Sequence, residues 1–126
     1  MLIDKGFLKD LSVLAKSNPR LRQSYDLRNT PDDHSQRVIN ALEPGTVMPI
    51  HRHEDTSATV IVLNGSLRYN FYDNTGKLTE SVMMKSGGTC QAVQVEKGRW
   101  HNLECLEPNT VIFETKDGDW KPYEVF

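Results

Sequence analysis

The sequence predicts an all-β barrel of antiparallel strands, preceded by one short helix. After Asn18-Pro19 the apolar period changes from helical to roughly two, and the later segments are short and rich in β-branched or aromatic residues. Turn-forming pairs separate these segments at intervals typical of an antiparallel sandwich or barrel. At 126 residues, the chain is expected to form a single domain, with the helix in 1–18 and the barrel in 34–126.

The first segment has apolar residues at a helical spacing. Phe7, Leu11, Leu14 and Ala15 would lie on one face of a helix. The helix is expected to end at Asn18-Pro19, because proline cannot continue the backbone hydrogen bonds and also disfavours helical geometry in the residue before it. We therefore predict one short amphipathic helix.

The strands are predicted from composition and from their turn boundaries. Leu67, Tyr69 and Phe71 alternate with polar residues, which indicates a strand with one face in water. Residues 59–63 are apolar at both odd and even positions, so both faces of this strand would be buried. We therefore expect it in the centre of a sheet. The segments predicted as strands are 37–42, 59–63, 67–72, 90–95 and 111–113.

Charge and hydropathy exclude two classes of partner. The formal net charge is -2, which favours neither nucleic acid nor an anionic membrane. No apolar run approaches the roughly 20 residues that cross a bilayer, and Asp4, Lys5 and Lys9 interrupt the stretch that a secretory signal would need. We therefore expect a cytoplasmic protein, in which Cys90 and Cys105 are buried thiols and do not form a disulfide.

Three of the four histidines lie in a pattern that predicts a metal site. On an extended strand, His51 and His53 project from the same face with about 7 Å between their α-carbons, so both imidazoles can reach one ion. His101 comes three residues after the turn glycine Gly98 and is expected to open a new strand. We predict that these three side chains bind one divalent transition metal, with Zn, Fe, Ni and Mn as candidates. His34 lies in a polar loop and is expected to be solvated.

These motifs resemble those of the cupins. Gly45 to Gly65 resembles the first cupin motif, which has a glycine, five residues, His-x-His, and a closing glycine. Gly87 to His101 resembles the second motif, with its Gly-x-x-His ending. More closely, the chain is similar to the WbuC family of cupin-fold metalloproteins, which are encoded among bacterial O-antigen and other surface-polysaccharide genes. The segments that carry this similarity are 18–22, 35–37, 49–53, 100–101 and 113–118.

The resemblance implies a jelly-roll barrel (double-stranded β-helix), a bound metal and a homodimer. The sequence departs from the cupin pattern at several positions. Ala58 stands where the first motif usually has a metal-binding glutamate, Glu96 replaces the usual proline and Cys105 the usual asparagine. Near the N-terminus, Arg28 and Asp26 replace a histidine and an asparagine that are common in the WbuC family.

Without the glutamate, the protein would supply three neutral imidazoles and leave positions open for water or substrate. Three protein ligands plus water is the arrangement of catalytic zinc sites. Glu54 or Asp55 is an alternative carboxylate ligand, although both are expected in an exposed loop where such charges are ordinarily solvated.

The pocket around the metal is expected to include inward-facing residues of neighbouring strands. Arg37, Tyr69, Phe71 and Glu114 are the candidates, and the sequence alone does not fix which way each one faces. Glu114 and Lys116 share a strand face and are expected to form an ion pair; an acid-base role for Glu114 requires it to reach a metal-bound group.

Three arginines are candidates for an anion-binding rim suited to sugar phosphates or nucleotide sugars. Arg20, Arg22 and Arg37 would form it, because guanidinium groups match phosphate oxygens. Scattered surface charge is the alternative.

The sequence favours two functions. The first is a metal-dependent enzyme that acts on a sugar or sugar nucleotide in surface-polysaccharide metabolism, and the second is a non-catalytic cupin that binds or senses a small ligand such as a carbohydrate. An ionisable side chain besides the three histidines, within reach of an open metal position, would favour the enzyme. Ala58 favours the binding protein, because a glutamate there would have been both a ligand and a base. A third possibility is an interaction domain that binds no metal.

Overall fold

A computed structural model describes residues 1–126 and shows two antiparallel sheets with one helix. The helix, α1, spans Lys5–Ser17. The strands are β1 Arg22–Asp26, β2 Ser35–Leu42, β3 His51–Arg52, β4 Ala58–Asn64, β5 Ser66–Tyr72, β6 Leu78–Lys85, β7 Ala92–Val95, β8 Trp100–Cys105, β9 Thr110–Asp117 and β10 Glu124–Val125.

Each sheet contains five strands. The first has the order β1-β2-β9-β4-β7 and the second β10-β3-β8-β5-β6. The predicted all-β jelly roll with a short N-terminal helix is therefore confirmed. Strand β4 lies inside its sheet as predicted, but only one of its faces is fully buried, and Ile61 on the other face is 36% exposed.

Helix α1 covers the outer face of the first sheet. The side chain of Asp4 caps it by accepting a hydrogen bond from the backbone N–H of Phe7 at 2.9 Å. Leu11 and Ala15 are buried in a cluster with residues of β2 and β9. Leu14 was predicted on this face but is 55% exposed, because the buried stripe of the helix also includes Ser12 and turns away from Leu14. The structure contains no helix with the length and apolar character needed to cross a membrane.

The main core lies between the two sheets. Most of it is formed by alternate residues of β4, β5 and β8, as the period of two requires. The thiol of Cys105 belongs to this core, whereas Cys90 is only half-buried, and both cysteines are free. The core residues are Leu42, Ala58, Val60, Val62, Leu67, Tyr69, Phe71, Met84, Val95, Leu103, Cys105 and Ile112.

Three strands, β1, β6 and β10, were not predicted. Strand β1 is polar and mostly exposed, and it is defined by its pairing with β2. The first sheet therefore begins at Arg22, whereas the barrel was predicted to begin at residue 34. Strand β6 has one fully buried residue, Met84. Strand β10 has only two residues, carries no periodic signal, and pairs with β3. Strand β3 is the strand predicted around the His-x-His segment, but it ends at Arg52, before His53.

Candidate metal centre

Strand pairing places two of the predicted ligands opposite each other. His51 opens β3 and pairs directly with His101 of the neighbouring strand β8. Side chains of directly opposed residues share one face of the sheet, with their β-carbons about 5 Å apart. This register brings together two histidines that lie far apart in the sequence.

A backbone hydrogen bond connects the third histidine to the turn before β8. The carbonyl of His53 accepts a hydrogen bond of 2.7 Å from the backbone N–H of Gly98. Gly98 has a φ of 80°, a conformation that residues with a β-carbon rarely adopt. The glycine of the second motif thus permits a turn that holds the His-x-His segment beside His101.

The three imidazoles form a compact cluster. Their ring centroids are separated by 4.3 Å for His51 and His101, 5.5 Å for His51 and His53, and 5.9 Å for His53 and His101. One ligand atom from each residue lies within 4.8 Å of the other two, so small side-chain rotations would bring all three onto one ion. His51 is 8% exposed and His101 is 3% exposed, whereas His53 is half-buried.

Two of the rings are oriented by backbone carbonyls. The Nδ1 atom of His51 lies 2.8 Å from the carbonyl oxygen of Pro49, and the Nδ1 atom of His101 lies 2.8 Å from that of Arg99. A carbonyl can only accept, so in each ring Nδ1 carries the proton and donates it. The lone pair is then on Nε2, as in histidines that bind metal through that atom.

The environment keeps the imidazoles neutral. Burial lowers the pKa of His51. Burial, then the charge of Lys116 and the other two histidines, lower the pKa of His53 to about 3, and burial followed by His51 lowers the pKa of His101 to about 4. Neutral imidazole is the form that coordinates metal. The donor set therefore fits a divalent transition ion, for which imidazole is an ordinary ligand.

A cavity of about 420 Å³ adjoins the three histidines. Tyr69 forms part of its wall, with its ring stacked on that of His101 at a centroid distance of 5.7 Å and an interplanar angle of 13°. Phe71, also a candidate, belongs to the core and does not line this cavity. The other lining residues are Asn18, Arg20, Arg22, Gln23, Ser24, Asn40, Met48, Asn102, Leu103, Ile112, Glu114, Lys116, Trp120, Lys121 and Tyr123.

Strand β9 contributes two charged side chains to the cavity. The Nζ atom of Lys116 lies 3.1 Å from Oε1 of Glu114, which is the ion pair that the sequence predicts. The two side chains are 13% and 22% exposed. The cavity therefore holds ionisable groups besides the histidines.

Arg37 does not line this cavity, unlike the other two arginines considered for an anion-binding rim. On β2, Arg37 lies on the same face as Ile39 and Ala41, which pack beneath the helix. Its side chain therefore projects from the outer face of the sheet, away from the cavity. Its guanidinium donates to the carbonyl of Ser35 at 3.0 Å and to the carboxylate of Asp33 at 2.8 Å.

The alternative carboxylate ligands form ion pairs with basic side chains instead of joining the histidine cluster. Glu54 forms an ion pair with Arg52, and Asp55 forms one with Lys121. Neither belongs to the cluster of ligand atoms. His34 is exposed in its loop and pairs with Asp119.

Residues near the C-terminus line the site and were not predicted from the sequence. Strand β10 pairs with β3, and this pairing brings the ring of Tyr123 to 4.5 Å from that of His51. Trp120 and Lys121 also line the cavity. The aromatic residues after the last predicted strand were a signal for such a contact, but nothing in the sequence shows where that segment packs.

Solved structures with the same fold are cupins. KdgF from Halomonas sp. aligns with a TM-score of 0.65 at 18% identity, over 82% of this chain and 84% of that chain. Oxalate oxidase, in complex with glycolate, aligns with a TM-score of 0.67 at 14% identity, over 86% of this chain and 57% of that chain. Oxalate decarboxylase from Bacillus subtilis aligns with a TM-score of 0.62 at 18% identity. The alignment covers 83% of this chain and 28% of the decarboxylase, so these similarities establish the fold alone.

A search of curated proteins finds no match. A family model described as "Domain of unknown function (DUF6016)" matches residues 3–84, which include the helix, the His-x-His segment and strands β1 to β5. The chain therefore belongs to the DUF6016 family, and its fold is that of the cupins.

Proposed function

We propose that the protein is a metal-dependent cupin enzyme in which His51, His53 and His101 bind one divalent transition ion. The main support is the cluster of three neutral imidazoles, two of them with Nδ1 engaged by a backbone carbonyl and Nε2 free to coordinate. A bound ion would supply Lewis-acid polarisation of a carbonyl or hydroxyl oxygen and would lower the pKa of bound water.

The cavity composition favours a polar, oxygen-rich substrate. Asn18, Gln23, Asn40 and Asn102 supply amide groups that match sugar hydroxyls, and the adjacent cations suit an anionic group. We therefore propose a sugar, a sugar acid or a sugar nucleotide as substrate. In line with the resemblance to the WbuC family, we place this reaction in surface-polysaccharide metabolism in the cytoplasm, and we expect a homodimer.

A specific observation favours each of the two functions. The half-buried Glu114 and Lys116 line the same cavity as the histidines, and this favours the enzyme. Ala58 removes the usual motif carboxylate, and this favours a protein that binds or senses a small ligand. We prefer the enzyme because β9 supplies a carboxylate to the same cavity.

The metal is proposed to be one of Zn, Fe, Ni and Mn. The aligned oxalate decarboxylase is described with Mn(II) centres. Histidine-only sites accept several of these ions, and their availability in the cell selects among them.

The experiment that separates the two functions compares metal-loaded, chelator-treated and His101→Ala protein. Each form would be incubated with a panel of sugars, sugar acids and nucleotide sugars, with products followed by NMR and binding by calorimetry. Conversion that requires both the metal and His101 supports the enzyme. Saturable binding without conversion supports the binding protein, and a protein purified without an affinity tag that contains no metal would contradict both.

A further inference from the structure

We propose that Lys116 is a binding residue for the carboxylate of the substrate, and that the ligand of this site is an anion carrying a hydroxyl or carbonyl oxygen next to its carboxylate. This inference rests on the proposed metal-dependent function. The carboxylate would bind Lys116, and the adjacent oxygen would face the histidine cluster.

Strand parity directs Lys116 into the site. In the pairing of β4 with β9, Lys116 lies opposite Ala58 and Glu114 lies opposite Val60. Ala58 and Val60 are 4% and 0% exposed and belong to the core between the sheets, so the residues opposite them face the same interior. Lys116 lines the same cavity as the three histidines.

The charges of the site are best balanced by an anion. Three neutral imidazoles leave the double charge of a bound ion uncompensated, and Lys116 adds another positive charge at the same cavity. Glu114 offsets one of these charges through its 3.1 Å ion pair. An ammonium group has three donors, so this pair leaves others for a ligand. A carboxylate between the ion and Lys116 would be attracted to both.

The substitution at position 58 keeps Lys116 available. A glutamate there would lie directly opposite Lys116 and could pair with it. Alanine offers no charge, so the nearest acidic partner is Glu114 on the same strand. The absence of the motif carboxylate therefore leaves space beside Lys116, and leaves its ammonium group available to a carboxylate of the ligand.

Binding of glycolate to the metal-loaded protein, measured by calorimetry, tests the inference. Glycolate carries a carboxylate and a hydroxyl on adjacent carbons, and ethylene glycol is its neutral counterpart. Lys116→Met is expected to weaken glycolate binding by about tenfold or more, and Glu114→Gln is expected to strengthen it, because Glu114 competes for Lys116 and repels the anion. Lys77→Met, which changes an exposed lysine in a turn, is the matched control and is expected to bind like the wild type.

Metal content is measured first in every variant, so that two kinds of failure can be separated. A wild-type protein that takes up no metal overturns the proposed function and this inference with it. The inference alone is overturned by a metal-loaded wild type that does not bind glycolate, by equal affinities in wild type and Lys116→Met, or by weakening in Glu114→Gln as large as in Lys116→Met. The last result would assign the ion pair a purely structural role.

Discussion

Acidification of the metal-free protein is expected to reduce its stability through His101. Burial holds the pKa of His101 at about 4, whereas the unfolded chain has the ordinary value of 6.5. Between these values the unfolded state binds more protons, so the free energy of unfolding falls as the pH falls. The stabilising contribution is complete above the unfolded pKa and is lost as the pH approaches 4. At pH 4.5 the loss from this residue is roughly 2.5 kcal/mol relative to pH 7.

Urea unfolding of chelator-treated protein, followed by tryptophan fluorescence at pH 7 and pH 4.5, measures this loss. Carboxylates also titrate in this range, so the informative quantity is the difference between wild type and His101→Gln. The variant removes the titrating group and is expected to lose about 2.5 kcal/mol less on acidification than the wild type. His34→Gln, on an exposed loop, serves as the control. An equal pH response in wild type and His101→Gln would refute the reasoning.

Three further predictions concern the metal and the turns. His51→Ala and His101→Ala are each expected to lose the bound ion while the far-ultraviolet circular dichroism is retained, and full occupancy in either variant would remove that histidine from the ligand set. Chelation of the metal is expected to lower the melting temperature. An ion at 1,000 times its dissociation constant stabilises the native state by about 4 kcal/mol, and chelation removes this stabilisation. The shift in melting temperature should be absent in His101→Ala. Gly65→Ala is expected to destabilise more than Gly98→Ala in urea unfolding. A β-carbon at Gly65 would lie 2.3 Å from Oγ1 of Thr110, whereas one at Gly98 meets nothing within 4 Å and adds only backbone strain of about 1 kcal/mol. Equal losses would contradict this ranking.

The sequence predicts those parts of the fold in which local pattern and burial agree. The alternation of Leu67, Tyr69 and Phe71 with polar residues appears in β5 as three buried side chains on one face. Strands β1 and β6 lack such alternation because most of their residues are exposed, and backbone pairing with a neighbouring strand defines them. Pairing of this kind depends on distant segments, so a local pattern does not reveal it.

The site was predictable to the extent that its spacing is regular. The i, i+2 spacing of His51 and His53 and the turn glycine before His101 were sufficient to bring the three histidines into one hypothesis. The orientation of Arg37 was not predictable, because one residue of register decides which face of β2 it occupies. Tyr123 was missed because its place beside His51 depends on the two-residue pairing of β10 with β3.

Crystals of untagged protein, grown without added metal and measured at metal absorption edges, would test the central claim most directly. We expect an anomalous difference peak bounded by the Nε2 atoms of His51 and His101 and a ring nitrogen of His53, with the element identified by the edge at which the peak appears. A map with no peak among these three rings, or with an ion bound elsewhere in the chain, would contradict the account.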